Sequence, residues 1–167
     1  MDVKTAIQSR RAYRSLAPSC FNKQPWRFVF VYGREALSQL RPALSKGNDW
    51  AQEASMIIAV FSKKELDCVM KDGREYFSFD AGLGVMSLIL RATELGLVAH
   101  PIAGFDPGKV REALGIPEDM TVITLINVGK HDEKISPKLS PDQAAGEAVR
   151  PPRLPFAEFC YIDKYWA

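Results

Sequence analysis

The sequence is poor in the residues that most often carry catalysis or hold metals. It has two histidines, His100 and His131, and three cysteines, Cys20, Cys68 and Cys160. The cysteines are odd in number, widely spaced and form no CxxC. Neither a disulfide framework nor a structural zinc site is therefore expected, and reduced thiols are the simple reading. No His, Asp and Glu residues fall at ligand spacing, so no metal centre is expected. There is no G-x-S-x-G elbow, and no motif pairs Cys20 with His100 as nucleophile and base. No apolar stretch approaches the length of a membrane span, and the N-terminus shows no apolar signal core. The expectation is a cytoplasmic protein with no membrane partner. A net charge of +2 is too small to argue for nucleic acid.

What is present is an ordinary globular composition, 47% hydrophobic and 25% charged over 167 residues, enough for one domain with a real core. The charge is unevenly spread. Seven of the first 34 residues are Lys or Arg, and one, Asp2, is acidic. Val3, Ala6 and Ile7 sit at helical spacing and predict a helix over 2–11 capped by Asp2. Arg10, Arg11 and Arg14 fall at its end, where their side chains can converge on an anion. Guanidinium groups bind phosphate bidentately and stay charged at any useful pH. "RPPRLP" (150–155) presents Arg150 and Arg153 in a rigid extended segment. A solvated basic face is equally compatible with charge alone.

Apolar patterning predicts strands at 27–32, 55–61, 97–103 and 120–128. It predicts helices at about 36–44 and 76–95, the latter apolar on most sides and so expected to be buried centrally. Asp106-Pro107 starts a further helix with Gly115 just past its end, the usual early-proline, late-glycine asymmetry. Residues 131–167 read as an extended arm without a core of its own. Alternating helices and strands imply a layered α/β or α+β domain, and the pattern alone slightly favours a parallel sheet. "AGLGVMS" (81–87) lacks the third glycine and the preceding strand of a dinucleotide fingerprint, so its glycines read as close helix packing. "PIAGFDP" (101–107) puts Gly104 in a loop after a strand, where it is either an ordinary turn or a close approach to a ligand.

Taken together, "RRAYR", "APSCFNKQPWRFVFV", Gly47-Asn48-Asp49-Trp50 before "EASMIIAVF", "ATELGLVAHPIAGFDP" and "RLPFAEF" resemble the FMN-dependent nitroreductase family, in its order and over most of the chain. The resemblance implies an α+β fold with a mixed, mostly antiparallel central sheet, built as an intimate homodimer with FMN at the subunit interface. This overrides the preference for a parallel sheet. It implies that Arg10, Arg11 and Arg153 meet the FMN phosphate and its neighbourhood, and that Arg14 lies near the pyrimidine edge of the flavin. Pro18, Ser19, Cys20 and Asn22 would reach the flavin from the partner subunit, and Asn48 would contact the pyrimidine ring. Ala103 and Gly104 would turn backbone N–H groups toward the redox nitrogen. NADH or NADPH would reduce FMN, and a small aromatic acceptor, a nitroaromatic or quinone, would then enter the same slot. No side chain need act as acid or base, because hydride chemistry belongs to the cofactor.

The chain departs from the family pattern. Ala12 stands at a cofactor-contacting position where a serine is common, Cys20 replaces the second serine of a pair, and Ala51 stands where some relatives carry a lysine. Relatives also carry about one extra helix, roughly 20–25 residues, between the arginine motif and "APS". Either that helix is absent here, or the sequence passes over it. In the second case consecutive Cα atoms near Leu16 to Pro18 would lie far beyond ~3.8 Å. Two other functions remain open: a same-fold flavoenzyme for dehalogenation or flavin breakdown, and a basic-patch RNA-binding module using Arg10, Arg11, Arg14 and Trp26. The second lacks any RRM or KH signature.

Overall fold

A computed structural model describes residues 17–149 and 152–166. The helix expected over 2–11 lies outside these residues, as does Leu16. The chain divides into two compact units at Glu133 and Lys134.

The first unit is built on four strands, β1 (Arg27–Val31), β2 (Met56–Ser62), β3 (Val98–Ile102) and β4 (Thr121–Gly129), in the order β1-β2-β4-β3. Every hydrogen-bonded pair is antiparallel. β2 and β3 run parallel to each other on either side of β4. The strand–helix–strand alternation that suggested a parallel sheet is thus real, but β4 inserts between its two strands.

β2 reads as a continuous apolar run because both of its faces are covered, which removes the usual alternation. Ile57, Ala59 and Phe61 face one core with Leu37 and Leu40 of α1 (Arg34–Leu40) and Val110 of α3 (Pro107–Leu114). Ile58 and Val60 face the other with Ile126, Val128, and Val85 and Leu88 of α2 (Phe77–Glu94). A register shift between Val60 and Phe61 lets Val122 and Leu125, of opposite parity on β4, face the same core.

α2 departs from the expectation of a buried central helix. Phe77, Ala81 and Ala92 are buried, but Phe79, Met86 and Leu90 stand exposed. α3 follows its sequence signals closely. Asp106 caps it by accepting from the amides of Gly108 and Lys109, and Gly115 ends it at φ 64°.

Among its described residues the second unit contains one α-helix, α4 (Pro141–Ala148), opened by a capping box between Ser140 and Gln143. None of its residues is buried, which explains why apolar periodicity did not reveal it. Among the described residues, no helix is long and apolar enough to cross a membrane.

Candidate functional site

The sequence-predicted residues fall into three groups. Arg10, Arg11, Ala12 and Arg14 lie outside the described residues. Arg153 is exposed in the second unit. The rest form two clusters in the first unit, and among the described residues no hydrogen bond joins one cluster to the other.

The first cluster pairs Asn48 with Gly104. Asn48 leads into a short helical turn, Asp49–Glu53, ahead of β2, and Gly104 follows the end of β3. The two segments are locked by a bridge between Leu44 and Phe105, with the Ser45 amide donating to the Gly104 carbonyl at 3.1 Å. Asn48 Nδ2 donates to the same carbonyl at 2.9 Å. A Cβ at position 104 would lie 2.3 Å from Asn48 Nδ2, so the contact requires glycine. The Gly104 carbonyl is thus doubly engaged, whereas its amide makes no hydrogen bond among the described residues. Ala103 beside it is exposed.

The second cluster is the turn from Ser19 to Gln24. Phe21, Asn22 and Gln24 all occupy the left-handed region, at φ 45°, 57° and 50°, which is costly for residues other than glycine. The turn is held by several bonds. Ser19 Oγ accepts from the Gln24 amide at 2.9 Å, and Asn22 Oδ1 accepts from Gln24 Nε2 at 3.1 Å. The Ser62 hydroxyl at the end of β2 donates to the Pro25 carbonyl at 2.8 Å. The turn leaves Phe21 90% exposed.

Cys20 corrects the expectation of reduced, isolated thiols: it is disulfide-bonded to Cys68, with Cα atoms 6.1 Å apart. The pairing has a topological cause. β1 and β2 are antiparallel neighbours, so the chain entering β1 and the chain leaving β2 emerge at the same end of the sheet. The cysteines are 48 residues apart, and spacing alone does not reveal such a contact. Cys160 is free.

Two acidic residues complete this region, and sequence reasoning missed both. Asp80, in the first turn of α2 and 1% exposed, accepts from the Cys20 amide at 2.7 Å. Burial pushes its carboxyl up from the ordinary range. The Cys20 amide opposes that shift, and the charge of Asp67 adds to it. Asp67, 5% exposed, accepts from the Cys68 amide through Oδ1, while its buried Oδ2 has no hydrogen-bond partner among the described residues. The signal for Asp80 was an acid inside the otherwise apolar "FSFDAGLG". Gly84, three residues beyond Ala81, shows the close packing expected of it: a Cβ there would meet the Trp26 ring at 3.3 Å. Gly82 has open space instead. His100 lies within β3, edge-on to Trp50 at 4.9 Å.

Residues 42–130, which include Asn48, the disulfide partner Cys68, Asp80 and Gly104, match the profile of the Nitroreductase family. The chain belongs to that family. A Stenotrophomonas maltophilia protein named "Putative NADH dehydrogenase/NAD(P)H nitroreductase" is 36% identical to it, over 87% of this chain and 78% of the relative. A solved structure described as an oxidoreductase containing FMN superposes with a TM-score of 0.76 at 31% identity, covering 90% of this chain and 76% of its own. A nitroreductase family protein from Streptococcus pneumoniae TIGR4 superposes at 0.66 with 29% identity, over 96% of this chain and 88% of its own. The nitroreductase-family chain therefore has the α+β fold and antiparallel sheet that its motifs implied.

Proposed function

We propose that this chain is an FMN-dependent oxidoreductase of the nitroreductase type. NADH or NADPH supplies the reducing equivalents, and an electron-poor nitroaromatic or quinone then takes them in the same slot, in ping-pong order. Family membership supports the reading, and the names of the two relatives, one an NAD(P)H nitroreductase and one an FMN-containing oxidoreductase, agree with it.

The single observation that carries it to this chain is the Asn48–Gly104 contact. It leaves no room for a Cβ, and with the Ser45 amide it engages the Gly104 carbonyl twice, while the Gly104 amide makes no hydrogen bond among the described residues. Such a loop suits a flat polar heterocycle approaching the backbone closely. FMN, when bound, supplies the hydride chemistry that no side chain offers. The residues of the chain hold and tune. Asn48 orients the Gly104 peptide through its carbonyl, and the Gly104 amide would be a donor to bound FMN. By the family resemblance, Arg14 would supply a fixed cation near the pyrimidine edge of bound FMN and so favour its reduced form. By the same resemblance, Arg10, Arg11 and Arg153 would each be a contact for the phosphate.

In this reading the site is completed by a second copy of the chain, in the cytoplasm, with the partner presenting its own Pro18–Asn22 segment. Two features of the first unit support a homodimer: the strained turn that holds Phe21 out from the surface, and the exposed Phe79, Met86 and Leu90 along α2.

Equilibrium ultrafiltration with FMN tests the reading on the wild type and on Gly104→Ala. The expected result is at least tenfold weaker retention by the variant with an unchanged far-UV spectrum. Equal retention by a folded variant would remove the loop from the site.

A further inference from the structure

The disulfide region carries more buried carboxyl groups than a structural cross-link needs. The sulfurs of Cys20 and Cys68 and a carboxylate oxygen of Asp67 all lie within 4.8 Å of one another. Asp67 is 5% exposed, and among the described residues its Oδ2 has no hydrogen-bond partner. Asp80, almost fully buried, stands behind Cys20 and fixes its backbone. Among the described residues, no lysine or arginine forms an ion pair with either acid. An unpaired buried carboxylate is costly, and a second one beside it makes the site more so. The arrangement asks for a cation.

We infer that Cys20, Cys68 and Asp67 form a three-ligand site for a thiophilic divalent cation, zinc above all, in the reduced protein, and that the disulfide is its oxidised, metal-free form. The dimensions suit it. Zinc holds thiolate sulfur at about 2.3 Å and carboxylate oxygen at about 2.0–2.2 Å in a tetrahedron, so its ligands lie roughly 3.5–3.8 Å apart. Once reduction parts the bonded sulfurs to that spacing, the set lies inside the 4.8 Å within which the three ligand atoms fall. Two thiolates favour zinc over magnesium or calcium, which prefer all-oxygen shells. A water takes the fourth position. Asp80 is a positioning residue, holding the first thiolate ligand through its amide as outer partners commonly do.

The interconversion balances. Two equivalents of a small cellular thiol reduce the Cys20–Cys68 bond, giving two protein thiols and one small-molecule disulfide. Zinc then displaces the two thiol protons, and the two thiolates and Asp67 carry three negative charges to its two positive ones. Any two-electron oxidant of thiols, such as a peroxide, re-forms the disulfide and expels the metal. Occupancy is thereby tied to the redox state of a turn that the proposed function places at the FMN site, although the metal site itself stands independently of that reading.

The test is metal content. Untagged full-length protein is reduced with a small thiol, equilibrated anaerobically with zinc chloride, freed of unbound metal and measured by mass spectrometry of the metal. The expected result is one zinc per chain for the wild type and its complete release by peroxide. Cys68→Ser and Asp67→Asn should each weaken binding at least tenfold. Cobalt(II) in place of zinc should show the intense red-side d–d bands of a tetrahedral thiolate complex, clear of flavin absorption. A reduced wild type that holds no more zinc than the Cys20→Ser/Cys68→Ser double variant would overturn the inference. So would full affinity in Asp67→Asn. The cobalt spectrum keeps the outcome readable if a variant fails to fold, because it is read on the wild type alone.

Discussion

The carboxylate of Asp80, buried at the start of α2, accepts a hydrogen bond at 2.7 Å from the backbone amide of Cys20, sixty residues earlier in the chain. The bond ties the left-handed turn at Ser19–Gln24 to the helix that covers one face of the sheet. Asp80→Ala should leave the Cys20 amide without its acceptor and cost about 1–3 kcal/mol. Asp80→Asn, which keeps an acceptor oxygen, should cost clearly less. Urea unfolding of the two variants checks the difference, and equal loss would mean that packing rather than the bond is at stake.

The Cys20–Cys68 bond closes a loop of 48 residues, and loop-closure entropy for that length is about 4 kcal/mol. Reduction in the presence of a chelator should lower the unfolding free energy by an amount of this order, and Cys68→Ser should reproduce it. A reduced protein with an unshifted urea midpoint would show that the cross-link constrains little.

Gly104→Ala should test the loop separately from the fold. The new Cβ would strike only the end of the Asn48 side chain, which can swing away. Stability should therefore fall by no more than the lost hydrogen bond, about 1 kcal/mol, while FMN retention falls at least tenfold. A large loss of stability with intact retention would reverse the roles given to the two residues.

Lys63, just past β2, donates to Asp119, just before β4, at 2.5 Å. This bond raises the Lys63 pKa above 10.5 and lowers that of Asp119 below 3.8. The Asp119 contribution is present above the unfolded value and lost as pH falls through its depressed folded value. The Lys63 contribution is present below 10.5 and lost as pH rises through its raised folded value. Both groups are solvent-accessible, so the effect should be small and weakened by salt. Asp119→Asn should flatten the acid limb of the urea midpoint plotted against pH, and an unchanged limb would show that the pair contributes nothing.

Much of the fold was legible because local signals agreed. Arg27–Tyr32 was read as a strand and is one through Val31. Met120–Val128 was read as a strand, and Thr121–Gly129 forms it. Asp106, Pro107 and Gly115 bracket α3 as their chemistry requires. Other features were not legible, because they depend on contacts between distant residues. The meeting of Cys20 with Cys68 follows from the β1–β2 pairing, which no local pattern encodes, and Asp80 is engaged by a backbone amide sixty residues away. The exposure of Phe79, Met86 and Leu90 on α2 could not be told from burial by composition, because apolar side chains awaiting a partner look like core. Of the candidate site, Asn48 and Gly104 were named by resemblance, and the structure adds the physical reason for both: one hydrogen bond and one missing Cβ.

The most direct test of the account is a visible absorption spectrum of the purified protein, with FMN added and then NADH or NADPH under anaerobic conditions. The account predicts a yellow protein that retains FMN through gel filtration, bleaches with the nicotinamide and recovers its colour when a quinone or nitroaromatic is added. A folded protein that retains no FMN, or one whose bound FMN is not bleached by either nicotinamide, would contradict it.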